Sequence, residues 1–464
     1  MKTLWQKNTD QNSSAADNSW FYRFTAEEDR ELDRKLIPYD ILVNMAQAKM
    51  LLKVGVYSQP GFEKVNRALT ELWEKWEKGA FTLGPDDEDV HSAVEKYVTE
   101  HAGADGARIH TGRSRNDQVL ADMRLYMKDS IQQIVSLWSK IAEVLVQLGQ
   151  DQKGVWFSGF THTQPAMPHS ADAWVAGYLD LLSDDMKALM EACDVIDQSP
   201  LGSAAGYGVP YIAVDRPYIS ELLGFSKVQE PVAAAQLSRG RHEMQLIDAL
   251  SYGALTFNRM ASDIVFFMHP SLGFVTLSDD QVSGSSIMPQ KRNPDAWELI
   301  RAAYHEISAS RVHLSGVVSN LISGYHRDLQ VVKKSVMAVL EQSLKLSEAV
   351  YCSLSGLRFD EKQCQKSLTK EVFATHYANE QVARGVPFRE AYREVANLIR
   401  STGSRDKEHV GSETGLVPDT EAYTHTGAPG SGISEEVIRR VQAGKAWAEE
   451  KQKEKERIFH TFFS

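Results

Sequence analysis

Residues 123–148 read MRLYMKDSIQQIVSLWSKIAEVLVQL. Within them Met123, Met127, Ile131, Ile134, Trp138, Ile141, Leu145 and Leu148 recur at steps of 4, 4, 3, 4, 3, 4 and 3 residues. Side chains three and four positions apart share one face of an α-helix, whereas a strand would alternate with period two, so the stretch predicts a helix with one apolar stripe. That helix is about thirty residues long, against the ~10–14 usual in globular proteins. The same spacing runs through "ADAWVAGYLDLLSDDMKALMEACDVID" from 171 and through 233–268, 295–321 and 329–354. Helices of this length must bury their stripes against several neighbours, which predicts a mainly α fold, a long-helix bundle, and an oligomer where more than one face is apolar.

A chain of 464 residues with 42% hydrophobic and 24% charged residues is long enough for several regions around a large core. Its net charge of -11 argues against nucleic acid as a partner, since phosphates are met by basic faces. No run approaches the ~18 apolar residues of a membrane span. Cys193, Cys352 and Cys364 are odd in number and lack a CxxC pair, and no signal peptide precedes "MKTLWQKN". They read as three reduced, buried thiols of a cytoplasmic protein.

Gly/Pro-rich joints separate the helices: "HTGRSRNDQ" (110–118), "SGFTHTQPAMPHS" (158–170), "SPLGSAAGYGVP" (199–210) and "SGSSIMPQKRNPDAWE" (283–298). The last reads as a mobile loop in which Asn293-Pro294-Asp295 turns into a helix starting near Asp295. A serine there accepts a proton only if a cation or backbone donor stabilises its oxygen, and Lys291 is the nearby cation. In the first joint, Arg113 and Arg115 flank a serine before Asn116 and Asp117. Guanidinium forks bind carboxylates bidentately, so this joint suits an acidic head group, while Asp117 is expected to cap or pair locally. His162 offers a side chain that exchanges protons near neutrality, and Glu298 lies one turn into the following helix. His91, His101, His110, His162 and His169 show no HExxH or paired Cys/His spacing, so no metal and no cofactor is expected. "GSAAGYGVP" (202–210) lacks the P-loop and dinucleotide patterns. Residues 412–432 read as a solvated connector before a last charged helix.

Taken together, "GSSIMPQKRNP" resembles the signature of the fumarase/aspartase superfamily, and "HTGRSRNDQ" resembles its argininosuccinate lyase branch, which includes the delta-crystallins. The resemblance runs from about residue 20 to "RGVPFREAYREVANLI" (384–399). It implies a homotetramer built around a central helical bundle, with active sites assembled from three subunits, and three regions per subunit: an N-terminal helical domain (1–112), a central long-helix domain carrying the serine loop (113–362) and a small C-terminal helical domain (363–464). It also implies elimination of fumarate from argininosuccinate, leaving arginine. By resemblance Ser285 is the base, Lys291 and Asn293 stabilise the carbanion, and His162 with Glu298 serves the leaving nitrogen. Arg115, Asn116 and Thr161 match substrate-carboxylate contacts, Asp89 a polar group near the amino-acid end, and Tyr325, Gln330 and Lys333 surround the substrate. Three stretches depart from the pattern: "LWQKN" near the N-terminus, Met167 in place of glutamine, and "QLSRGRHEMQ" where an acidic–Arg–acidic run is expected, which leaves that arginine contact missing or displaced. A binding or structural protein on the same fold, and a lyase for another N-substituted aspartate, remain the alternatives.

Overall fold

The computed structural model describes residues 20, 23–84, 87–401 and 422–463. "LWQKN" and residues 412–421 lie outside them. The N-terminal helices are α1 (Glu28–Asp33), α2 (Ile37–Lys53), α3 (Gln59–Glu77) and α4 (Val90–Ala102). The long helices follow: α5 (Arg115–Asp151), α6 (Ala171–Ile196), α7 (Arg241–Phe267), α8 (Asp295–Val318) and α9 (Gln330–Ser355). Beyond them come α10 (Ala374–Ala383), α11 (Phe388–Ser401) and α12 (Glu435–Phe463). No helix among the described residues is long and apolar enough to cross a membrane.

The stripe that opened the reading is the axis of the core. Its eight residues, from Met123 to Leu148, are all buried, and they pack in one hydrophobic cluster with α6, α7 and α9. Trp138 is the point where these helices meet. Its ring lies edge-on to Phe257 of α7 at 5.9 Å, and its Nε1–H donates to Ser347 Oγ of α9 at 2.8 Å. Gly253 lets α7 approach that ring, since a Cβ there would stand 2.2 Å from it. The expected helix over 233–268 is broken. Gly240 has φ +79°, a value L side chains rarely adopt, and a Cβ on it would strike Val318 at 2.1 Å, so α7 starts only at Arg241.

The start of α5 is fixed by a capping box. Asn116 N–H donates to Ser114 Oγ, and Ser114 N–H donates to Asp117 Oδ1 at 3.0 Å. Asp117 does cap, and it does more: its Oδ2 accepts from Gly202 and Ala204 N–H, which ties the 199–210 joint to the helix. Helix α12 lies along α5 and α6, with Val437, Val441 and Ala448 buried and Lys445, Lys455 and Arg440 paired to Glu143, Asp129, Asp180 and Asp184. Its Phe459 and Phe463 stack beside Trp73 of α3. The described part of the connector is largely exposed, as expected, and is anchored at its end. Gly430 N–H donates to Ser170 Oγ, Gly432 N–H donates to Asp172 Oδ2, and Ala428 is buried. Cys193 and Cys364 are buried as expected, but Cys352 is exposed on α9.

Candidate active site

The expected site residues fall in three places. The first is a cavity of about 430 Å³ between the start of α5, the turn before α4, α1 and the start of α9. Asp89, Arg115, Asn116, Tyr325, Gln330 and Lys333 all line it. Asp89 is the N-cap of α4, accepting from Ser92 N–H at 2.7 Å, and its other oxygen accepts from Arg115 Nη1 at 2.7 Å. Burial alone would raise its pKa; His91, Arg115 and the Ser92 donors outweigh that and hold it below the usual carboxylate range. Lys333 is buried between Asp33 at 2.5 Å and Asp29 at 2.8 Å. Burial opposes its charge, and the two carboxylates more than restore it. Its charge is therefore balanced by carboxylates of the protein itself.

Sequence reading missed several members of this wall. Asp29, Asp33, Glu88, His91, Arg239 and Arg327 also line the cavity. Arg239, within the departing "QLSRGRHEMQ" stretch, stands 5.0 Å over the Tyr325 ring, and its buried Nη1 has no hydrogen-bond partner among the described residues. Arg113 also lines the cavity, and it donates to Asn44 Oδ1 at 2.7 Å.

The second place is the tip of the hairpin β1 (Trp156–Thr161) and β2 (Gln164–Ser170). His162 and Thr163 form its two-residue turn with φ of +52° and +60°, the mirror-image geometry that suits the twist of paired strands. A non-glycine residue there carries strain of about 1–3 kcal/mol, held only where the surroundings impose it. They do so here. Phe157 packs against Phe267, Phe274 and Phe359, Phe160 packs against Phe266, and Ser158 N–H donates to Ser367 Oγ. Thr161 and His162 are thus held out on an exposed but firmly seated tip.

The third place is the serine loop. Its base is pinned, not free: Ser283 and Asn293 exchange backbone hydrogen bonds of 3.1 and 2.8 Å, and Arg292 binds Leu277 O and Asp279. The exposed part runs between them. Ser285 Oγ accepts from Ile287 N–H at 3.4 Å and Met288 N–H at 3.3 Å, two backbone donors that would stabilise charge on that oxygen. Lys291 is exposed, Asn293 Nδ2 donates to Ser283 Oγ, and Glu298 lies in the first turn of α8, which begins at Asp295 as expected. Within one chain no hydrogen bond among the described residues joins His162 to Glu298, or either to the cavity. Thr161, His162, Ser285, Lys291, Asn293 and Glu298 are not among the residues that line the cavity.

Two partly buried histidines, His110 and His242, are expected to give a pH response. Burial, then the nearby Arg113 and Arg115, lower His110 to about 4; burial, then Arg124 and Arg241, lower His242 to about 4. As pH falls from about 6.5 to about 4 the unfolded chain takes up these protons and the native state does not, so stability is lost across that window and no further below it. Urea midpoints measured at pH 7.5 and pH 5 check this. The drop is expected to shrink in a His110→Asn/His242→Gln double variant; an unchanged drop would assign it to other groups.

The chain resembles known proteins over most of its length. A lyase family model matches residues 6–308. Argininosuccinate lyase of Thermotoga neapolitana is 42% identical over 374 residues, covering 81% of this chain and 94% of the relative. That of Sorangium cellulosum is 35% identical over 438 residues, covering 94% and 98%. Among solved structures, EDDS lyase in complex with formate superposes with a TM-score of 0.78 over 94% of each chain at 18% identity, which speaks for the fold. With identity of this level spread over nearly the whole length, and with the fold of the lyase superfamily around it, the chain belongs to the argininosuccinate lyase family.

Proposed function

We propose that the protein cleaves argininosuccinate to arginine and fumarate, the reaction named for its relatives, in the cytoplasm and as a step of arginine biosynthesis. The observation that carries this reading is the cavity wall: acids Asp29, Asp33, Glu88 and Asp89 stand beside Arg115, Arg239, Arg327 and Lys333, a mixed lining suited to a substrate with carboxylates and a guanidinium. Ser285 takes the Cβ proton of the succinyl part. The electron pair moves into the adjacent carboxylate, where Lys291 and Asn293 oppose the second negative charge. The Cα–N bond then breaks, and the leaving guanidinium nitrogen receives a proton through His162, charged and oriented by Glu298. Fumarate and arginine result. Arg115, Asn116 and Thr161 hold carboxylates, Asp89 the amino-acid end, and Tyr325, Gln330 and Lys333 the remaining wall.

Because Ser285, Lys291 and His162 do not line the cavity in one chain, the working unit in this reading is a homotetramer whose sites each draw on three subunits. Exposed Tyr252 and Leu255 on α7 and Leu299 and Val312 on α8 support association, since apolar side chains repeated along helix faces favour burial against another copy. Fumarate release followed by ultraviolet absorbance tests the function, with adenylosuccinate and aspartate offered in parallel. Turnover of argininosuccinate alone supports it; turnover of none leaves a lyase fold reused for binding. Shared sites make a second expectation. Inactive Asn116→Ala and Ser285→Ala proteins, mixed and reassembled in equal amounts, are expected to regain roughly a quarter of the wild-type activity by random assortment. No recovery would place all the pieces in one subunit.

A further inference from the structure

Beneath the cavity lies a buried group that the proposed mechanism does not use. His91, in the first turn of α4, is among the residues lining the cavity, and its Nδ1 lies 2.8 Å from Asp40 Oδ1 of α2 and 3.6 Å from Asp122 Oδ2 of α5, neither of which lines it. Asp40 is wholly buried and also accepts from Asn44 Nδ2 at 3.0 Å and Gln118 Nε2 at 2.5 Å. Three donors keep it an ionised partner for the imidazole. Asp122 is equally buried; burial and the neighbouring Asp40, to which it is hydrogen-bonded, push its carboxyl well above the usual carboxylate range, so it stands there in its neutral form.

The charges around the ring decide its state. Asp40, Asp89 and Asp33 from α1 favour its charged form, with Asp122 beside them pushed toward its neutral form, against the Arg113 guanidinium and His110 on the joint before α5. Burial opposes a charged imidazole, and the carboxylates outweigh it. Asp40, His91 and Asp122 are close enough together to hold a metal ion. Arg113, with Nε and Nη1 buried and unpartnered, makes a second, doubly charged cation costly there, and a proton is the smaller addition.

On the cavity side, most cations are already committed. Lys333 is held by Asp29 and Asp33, Arg115 by Asp89, and Arg113 by Asn44. His91 differs because its counter-ion lies behind the wall. We propose that His91 is a further carboxylate-binding residue of this site, its imidazolium donating Nε2–H to a carboxylate of the bound substrate, with Asp40 as the positioning residue that holds it. The assignment rests on the cavity being the substrate site. Its consequence is that binding weakens as pH rises and His91 loses its proton.

Kinetics and ring spectroscopy on the full chain test this. His91→Gln is expected to raise KM for argininosuccinate about ten- to a hundredfold, the value of one charge-assisted hydrogen bond, with kcat within about threefold. Asp40→Asn is expected to raise KM less and to move the alkaline limb of kcat/KM to lower pH. In the wild type, nitrogen-15 imidazole spectra are expected to show His91 protonated at both nitrogens at neutral pH and its Nε2 resonance shifting when succinate is added. An unchanged KM in His91→Gln, a fall in kcat alone, or a His91 resonance indifferent to succinate would overturn the proposal. Should the wild type release no fumarate, the functional reading fails, while the succinate titration still decides the role of His91.

Discussion

Ser285→Ala is expected to cut fumarate release from argininosuccinate by about a thousandfold, within the 10²–10⁴ that a positioned general base supplies. The variant removes the only oxygen on which Ile287 and Met288 N–H converge in the loop. Nothing else in the fold leans on that side chain, since residues 284–286 are at most partly buried and the loop base is closed by Ser283 and Asn293. Thermal melts should therefore coincide with wild type, and KM should change little. Activity within tenfold of wild type would remove Ser285 from the role of base and leave the cavity as a binding site without its chemistry.

The largest effect on stability is expected at Trp138. Trp138→Ala empties a fully enclosed site among α5, α7 and α9, a change that costs about 3–5 kcal/mol through lost burial and the cavity left behind. Ser347 Oγ then loses its donor, adding about 1 kcal/mol. Gly253 cannot compensate by collapse, because it is already in contact with the ring and carries no side chain to fill the space. Urea denaturation followed by circular dichroism reads this directly. A loss under about 1 kcal/mol would mean that the helices close over the gap and that the Trp138 contact is not where the bundle is held.

The periodicity of 123–148 made the fold class legible because a 3.6-residue repeat needs only the local chain: whichever way the helix packs, those eight side chains share a face. The same logic located the capping role of Asp117 and the start of α8 at Asp295, both of which depend on neighbours within a few residues. It failed at Gly240, where the break depends on Val318 arriving from another helix. The family resemblance pointed to Asp89, Arg115, Asn116, Tyr325, Gln330 and Lys333, which do converge on one cavity. It did not reveal that Lys333 is bracketed by Asp29 and Asp33, or that Arg113 is held by Asn44 and Arg115 by Asp89.

Helix content, the joints and the residue types able to exchange protons or grip carboxylates were therefore settled by the order of amino acids, since each follows from local spacing and side-chain chemistry. Which cations stay unspent, how His91 is charged from behind the wall, and the separation of His162, Ser285 and Arg115 into three places were decided only by the folded arrangement. Burial and charge pairing join residues tens to hundreds of positions apart, and no local pattern carries that information.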